Sequence, residues 1–228
     1  MTGVFVTGTD TGVGKTVASC ALVQAARVAG LVPWPMKPVA AGAVDAPGGP
    51  VNEDTRDLAA AAGPYAPPLA IITPVLLREP MAPHVAAARE GRAISLEPVL
   101  AAWRSRPPGT FAVVEGVGGF KVPLGPALDT VDLAKAFGLP VVLVVGLRLG
   151  CLNHALLTAD AIRAAGLPLA GWIANLVDPA MAVPDENVET LAHRLGAPLL
   201  GRLPHAPAPD PAALARHLDL RPLAIPRP

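Results

Sequence analysis

A glycine-rich stretch near the N-terminus, GTDTGVGKT at residues 8–16, lies directly behind the apolar run Val4–Val6. Between its first glycine and the closing Gly-Lys-Thr it has five residues, one more than the usual phosphate-binding pattern. Glycines let backbone N–H groups converge on an anion, the lysine adds a point charge, and the threonine can ligate Mg²⁺. The stretch therefore predicts a P-loop that binds a nucleoside triphosphate.

Two acidic residues are candidates to hold the metal ion of that nucleotide. Glu115 closes the apolar run Phe111–Glu115, and a carboxylate at the end of a buried strand beside a P-loop is well placed to bind Mg²⁺. Asp54 lies in the polar run at residues 52–57, where it could equally serve as a helix cap. Residue type alone leaves both interpretations of Asp54 open.

Lysine is rare in this chain, since only four of its 18 basic residues are lysines. One of them, Lys37, lies inside the predicted strand Trp34–Val39, where burying a cation without a partner is costly. It is either a surface lysine whose ammonium group reaches water, or a cation that stabilises charge developing on a transferred phosphoryl or acyl oxygen. The second interpretation is favoured, because a chain that otherwise uses arginine has kept a lysine here.

The elements that must position these residues follow from the hydrophobic pattern. Apolar runs rich in β-branched residues predict strands at Val4–Gly8, Trp34–Val39, Leu69–Thr73, Phe111–Glu115, Val141–Gly146, Gly171–Leu176 and Leu199–Leu203. The stretches between them predict helices near Lys15–Gly30, Asn52–Ala62, Pro83–Glu90, Leu96–Arg104, Thr130–Phe137, Cys151–Ala165, Asp185–Leu195 and Pro211–Leu218. This alternation predicts an α/β fold with a doubly wound, mostly parallel sheet, as in the three-layer sandwich of P-loop NTPases. We expect one domain over residues 1–228.

Composition excludes several classes of protein. Hydrophobic residues make up 52% of the chain and charged residues 16%, which is a globular composition. The 18 basic residues balance 18 acidic ones, so no net charge favours a nucleic-acid or membrane partner. The apolar run at residues 140–145 is too short to span a bilayer, and no basic segment marks a signal peptide. Two cysteines give no disulfide framework, and we expect a cytoplasmic protein.

Taken in order, the motifs resemble those of the dethiobiotin synthetases, the ATP-dependent carboxylases of biotin synthesis. The matching segments are FVTGTDTGVGKT (5–16), KPVAAG (37–42), VEGVGG (114–119), GCLNHALLTADAI (150–162), AGWIAN (170–175) and PLLGRLP (198–204). The resemblance implies a ligase that joins CO2, or bicarbonate as its source, to 7,8-diaminopelargonate. A carbamate would take the γ-phosphate of ATP to give a carbamic–phosphoric anhydride, and ring closure would release dethiobiotin, ADP and phosphate.

The same resemblance implies roles for individual residues. ATP, as co-substrate, would be bound by Gly12, Val13, Gly14, Lys15, Thr16, Val17, Asp54, Glu115, Gly116, Val117, Gly118, Asn175, Pro204, His205 and Ala206. Mg²⁺ would be held by Thr16, Asp54 and Glu115, and catalysis would depend on Lys37, Lys15 and Thr11. The diamine would contact Lys37, Gly118, Gly150, Cys151, Leu152 and Asn153. The last four would come from the neighbouring subunit, which implies a homodimer with its substrate sites at the interface.

The chain departs from the family pattern at a few positions. Ala41 lacks the hydroxyl that a serine or threonine usually supplies there, so one contact to the substrate is absent. Leu176 and His205 leave the nucleotide preference open, and Lys121 has no assigned role.

The alternative function is that of a partition or septum-site ATPase switch, which shares the fold class. Those proteins carry a lysine near the start of the loop, where this chain has Asp10. The residues therefore favour the synthetase.

Overall fold

The structure is a computed structural model that describes residues 2–223. Its strands are β1 (Gly3–Gly8), β2 (Val32–Met36), β3 (Val39–Ala41), β4 (Val44–Ala46), β5 (Gly49–Val51), β6 (Val75–Leu77), β7 (Thr110–Gly119), β8 (Val141–Leu147), β9 (Leu169–Leu176) and β10 (Leu199–Leu203). The predicted domain, residues 1–228, also includes residue 1 and residues 224–228, which lie outside this described part.

The helices are α1 (Lys15–Val28), α2 (Glu53–Ala62), α3 (Leu69–Ile72), α4 (Pro83–Arg89), α5 (Glu97–Arg104), α6 (Thr130–Phe137), α7 (Cys151–Ala164), α8 (Pro184–Arg194) and α9 (Pro211–Ala215). Single 3₁₀ turns lie at Gly63–Tyr65 and Arg221–Leu223. Within residues 2–223 no helix combines the length and the apolar character that crossing a membrane requires.

Six parallel strands form the central sheet in the order β10-β9-β8-β1-β7-β2. From β1 at its centre the chain first builds the side that holds β7 and β2, and later the side that holds β8, β9 and β10. In doubly wound sheets such a switch in direction leaves a crevice at the carboxyl ends of the strands, where ligands bind. The predicted fold class is confirmed.

Both faces of the sheet are covered, which explains why its central strands are apolar throughout. Val4 and Val6 of β1 pack on one face against α1, α2 and α9, whereas Phe5 packs on the other against α5 and α6. Further along that second face, β8 packs against α7 and α8. Every residue of β8 is buried. The result is the predicted arrangement of three layers.

The predicted strand at Leu69–Thr73 is wrong, because this segment forms the short helix α3. Pro68 precedes its first turn, and burial is one-sided, with Ile72 in the core and Leu69 exposed. A short apolar run does not distinguish a strand from a helical turn. The strand of this region is β6 instead, which pairs with β3 in a small separate sheet.

The predicted strand Trp34–Val39 is divided in two. Pro38 has no N–H group to continue a ladder, and the N–H of Lys37 donates to the carbonyl of Ile72 instead of to β7. The chain therefore leaves the central sheet at Lys37, between β2 and β3.

The packing of β8 predicts a large difference between two valine-to-alanine variants. Val142 is 0% exposed at the centre of the sheet, whereas Val28 is 85% exposed at the end of α1. Val142→Ala should lower the free energy of unfolding by about 1–3 kcal/mol, since it leaves a cavity. Val28→Ala should change that free energy by less than about 0.5 kcal/mol. Chemical denaturation measures both, and equal effects would contradict the buried position of β8.

Candidate active site

The P-loop joins β1 to α1 and is shaped by its glycines. Gly14 has a φ of +79°, and a Cβ built there would lie 2.0 Å from Nδ2 of Asn175, so a side chain is excluded. That Nδ2 donates to the carbonyl of Val13 at 3.0 Å, which anchors the loop to the end of β9. No acid lies in the first turn of α1, and its positive end is therefore open to an anion.

Lys15 begins α1 and is almost fully buried, at 7% exposure. Its Nζ donates to the carbonyl of Asp10 at 2.9 Å, while the Asp10 carboxylate pairs with Arg148 at 2.6 Å. Burial lowers the pKa of Lys15, and the nearby charge of Lys37 acts in the same direction; against the attraction of Glu115, the net result is a pKa of about 8. The Nζ of Lys15 bonds an uncharged backbone carbonyl, so among the described residues no direct ion pair neutralises its positive charge.

A second lysine is held between two acids. Nζ of Lys37 lies 2.5 Å from Oε1 of Glu115 and 2.7 Å from Oδ2 of Asp54. Lys37 is 4% exposed and Glu115 is 0% exposed. The hydroxyl of Thr16 lies 2.8 Å from Asp54 and 2.9 Å from Glu115, which joins this group to the P-loop. We call Lys37, Asp54 and Glu115 the carboxylate–lysine cluster.

The pKa shifts within the carboxylate–lysine cluster indicate charged partners. Burial alone would lower the pKa of Lys37, but the attraction of Glu115 and Asp54 outweighs it, and the pKa is raised. Burial would likewise raise the pKa of Asp54, yet Lys37 and the Thr16 hydroxyl lower it below its ordinary value. Lys37 is therefore an ammonium ion and Asp54 a carboxylate near neutral pH.

Sheet register brings these residues together. Glu115 of β7 is opposite Val6 of β1, and Met36 of β2 is opposite Val114 of β7, so Lys37 emerges beside Glu115. Asp54 arrives from outside the sheet, in the first turn of α2. Three separate parts of the chain thus meet at the carboxyl end of β1.

The cluster and the P-loop line one cavity of about 650 Å³. Of the predicted site residues, its walls contain Thr11, Gly12, Gly14, Lys15, Thr16, Lys37, Asp54, Glu115, Val117 and Gly118. Ala41 also lines it, so the departure from the family pattern lies at the site itself. Sequence analysis missed the segment Pro80–Pro83, which forms another wall and carries no motif that would indicate it.

The remaining predicted residues lie outside the walls of this cavity: Val13, Val17, Gly116, Gly150, Cys151, Leu152, Asn153, Asn175, Pro204, His205 and Ala206. Val13 is tied to Asn175 behind the P-loop. Asn153 is exposed in the first turn of α7, Cys151 is buried, and Pro204 and His205 are exposed beyond β10. A single chain therefore brings together the predicted P-loop and lysine residues, and leaves Gly150 and Asn153 exposed outside the cavity.

The oxygens of this cavity suit a hard divalent cation. One hydroxyl and two carboxylates, from Thr16, Asp54 and Glu115, lie together, and Mg²⁺ prefers such ligands. Oε2 of Glu115 is buried and has no hydrogen-bond partner in the part of the chain that the structure describes. A buried carboxylate oxygen without a partner is costly, and a cation would satisfy it. Among residues 2–223, no group of three or more His, Cys, Asp or Glu side chains is arranged to hold a metal ion.

Comparison with known proteins identifies the family. A family model described as an AAA domain matches residues 2–213. The ATP-dependent dethiobiotin synthetase BioD of Aromatoleum aromaticum is 54% identical over 217 residues, which cover 95% of this chain and 96% of that protein. This chain belongs to the dethiobiotin synthetase family. The enzyme of the same name from Ralstonia nicotianae is also 54% identical, over 220 residues and 96% of both chains.

Solved structures share the fold with this family member at low sequence identity. The septum-site-determining protein MinD of Pyrococcus horikoshii, complexed with Mg-ADP, aligns with a TM-score of 0.54 and 17% identity over 100% of this chain and 91% of its own. The cell division ATPase MinD of Pyrococcus furiosus gives a TM-score of 0.51 and 18% identity, over 91% and 85%. At such identities the likeness shows a common P-loop architecture and nothing about activity.

The carboxylate–lysine cluster predicts a strong energetic coupling in the ligand-free protein. Lys37→Met leaves Glu115 buried without its cation and should lower the free energy of unfolding by about 3–5 kcal/mol. Adding Glu115→Gln should cost less in that background than in the parent, because the unpaired charge is removed.

Urea denaturation of the two single variants and the double variant measures this coupling. Lys135→Met, at an exposed lysine of α6, is the matched control and should change little. Strictly additive effects of the two substitutions would show that the ion pair contributes nothing.

Proposed function

We propose that this protein is an ATP-dependent dethiobiotin synthetase, which carboxylates 7,8-diaminopelargonate and closes the ureido ring. The observation that carries the proposal is the position of Lys37, a buried ammonium group in the same cavity as the P-loop lysine. Family membership at 54% identity supports the substrates. The described residues would act as one domain, and because the reaction consumes ATP we propose the cytoplasm as its location.

ATP would bind with its phosphates on the P-loop and its base near the ends of β9 and β10. Lys15 and the N–H groups of residues 12–17 would hold the β- and γ-phosphates. Asn175 has its Nδ2 committed to Val13, and in the described part of the chain its Oδ1 accepts no hydrogen bond. We propose that this oxygen accepts from the exocyclic amino group of adenine, with the segment Pro204–Ala206 beside the base.

Mg²⁺ would be held by Thr16, Asp54 and Glu115, where it would neutralise charge on the phosphates. The fit depends on the partnerless Oε2 of Glu115 and on the ionised state of Asp54.

The chemical problem is repulsion between two anions, because a carbamate must attack the γ-phosphate. Lys37 and Lys15 would supply positive charge on the two sides of the reacting groups, fixed before the reaction begins. Thr11 and the N–H of Gly118 line the same cavity and could donate to the carbamate oxygens. The second amine would then attack the anhydride carbon and expel phosphate. The segment Pro80–Pro83, which forms one wall of the cavity, would help to shield the anhydride from water.

The carboxylate of the diamine substrate would bind at residues 150–153 of a partner subunit. The first turn of α7 contains no acid, and Leu149 next to it is 97% exposed. A large apolar side chain in that position is expected to be covered, and a second copy of this chain would cover it. We therefore propose a homodimer in which each substrate site is completed across the interface.

Lys37→Ala tests the proposed chemistry. Product analysis with ATP, Mg²⁺, bicarbonate and 7,8-diaminopelargonate should give dethiobiotin with the parent protein. The variant should lose at least about 10²-fold in kcat, as when a preorganised oxyanion donor is removed. Lys135→Ala, at the exposed lysine of α6, should retain the parent rate. A Lys37→Ala enzyme within a few-fold of the parent would exclude this role.

Asn153→Ala tests the proposed interface site. It should raise the KM for the diamine several-fold and leave the KM for ATP unchanged, since Asn153 is exposed outside the phosphate cavity. Asn187→Ala, in α8, serves as the control. Sedimentation analysis of each variant checks that the oligomeric state is the same, and an unchanged diamine KM would remove α7 from the substrate site.

A further inference from the structure

The two partners Lys37 and Asp54 are joined by a long excursion of the chain. After Lys37 the chain forms β3, turns at Gly42, and makes the hairpin of β4 and β5 before α2 begins. The hairpin is weakly packed, because all of its residues except Val51 are exposed or half-buried. It cannot by itself fix the distance between the lysine and the acid, which is 2.7 Å.

Asn52 closes this excursion with its side chain. Its Nδ2 donates to the carbonyl of Ala41 at 3.0 Å and approaches that of Gly42 at 3.4 Å. Its Oδ1 accepts from the N–H of Asp54 at 3.0 Å. The amide orientation is forced, since carbonyl oxygens only accept and a backbone N–H only donates. Asn52 is 8% exposed, so these bonds are shielded from water.

A residue that only caps a helix does not need the hydrogen bond that the Asn52 amide donates to the end of β3. Oδ1 of Asp129 caps α6 by accepting from the N–H groups of both Val131 and Asp132, and Asp129 forms a capping box within its own first turn. Asn52 caps α2 in the same way but also commits its amide donor to another element, the end of β3. Its extra bond lies between the parts of the chain that carry Lys37 and Asp54.

We propose that Asn52 is a positioning residue, which holds Asp54 against Lys37 by fastening the start of α2 to the end of β3. Ala41 and Asp54 both line the active-site cavity, so a shift of either one changes the site. The Asp54 side chain is 35% exposed and needs such a constraint, because an exposed carboxylate has rotamer freedom that a buried one lacks. The effect on kcat rests on the proposed function, whereas the effect on stability rests only on the ligand-free structure.

Three variants separate the hydrogen bond of Asn52 to β3 from its role as the N-cap of α2. Serine and aspartate are both strong N-cap residues, so Asn52→Ser and Asn52→Asp keep the cap. Neither side chain can donate to the carbonyl of Ala41 as the asparagine amide does. Asn52→Ala loses both interactions. The control is Asp129→Ala, which removes the cap of α6 and should lower stability with kcat within about threefold of the parent.

The first measurement is the split between kcat and KM. With Asn52→Ser and Asn52→Asp, kcat should fall about tenfold or more, since misplacement by a fraction of an ångström is costly in catalysis. The KM for ATP should change less than about threefold, because the P-loop is untouched. An Asn52→Ser variant with the kcat of the parent would overturn the proposal. It would do so even if Asn52→Asp were slow, because the negative charge that aspartate adds would then explain the low kcat of that variant.

The second measurement needs no activity. In the ligand-free protein, Lys37→Met should destabilise an Asn52→Ser background less than the parent, because the pair with Asp54 is already loosened. Equal costs of Lys37→Met in both backgrounds would also overturn the proposal. A parent protein that makes no dethiobiotin would refute the proposed function alone and leave this stability test decisive for Asn52.

Discussion

The structure depends on the placement of a buried ammonium group, that of Lys37, between two carboxylates. Isolated charges in a protein interior cost several kcal/mol each, and the cost is offset only by close partners of opposite sign. Here Lys37 pairs directly with Asp54 and Glu115, and the charge of Lys15 lies close enough to be attracted by the same two acids. Together these groups place two cations and two acids at the wall of one cavity.

The parallel sheet makes this arrangement possible. Because β1 lies between β8 and β7, the P-loop emerges next to β7, the strand that carries Glu115. Only β7 separates β1 from β2, and Lys37 directly follows β2. Because the chain leaves the central sheet at Lys37, just before Pro38, this lysine lies at the wall of the cavity instead of within the sheet. The side chains therefore converge at the ends of the strands, while apolar packing fills the core on both faces of the sheet.

The same architecture recurs in the MinD ATPases at 17–18% identity, so the fold alone leaves the chemistry undecided. This chain departs at a few positions around the loop from the pattern expected of the septum-site proteins. Asp10 pairs with Arg148, where the septum-site proteins are expected to carry a lysine, and Lys37 adds a second cation opposite the P-loop. The relatives that are 54% identical over nearly their whole length are dethiobiotin synthetases, not partition or septum-site ATPases.

The sequence by itself determined the P-loop, the acidic residue of β7, the lysine beyond β2 and most helices, because these features have local signals in residue type, glycine spacing and hydrophobic period. It failed at α3, where a short apolar run has no period to read. Only the tertiary structure decided which distant groups meet: Asn175 with Val13, Asp10 with Arg148, and Asn52 with Ala41. The order of strands in the central sheet and the path of the chain from β3 to α2 set those contacts, and both depend on the packing of the whole domain rather than on any one segment.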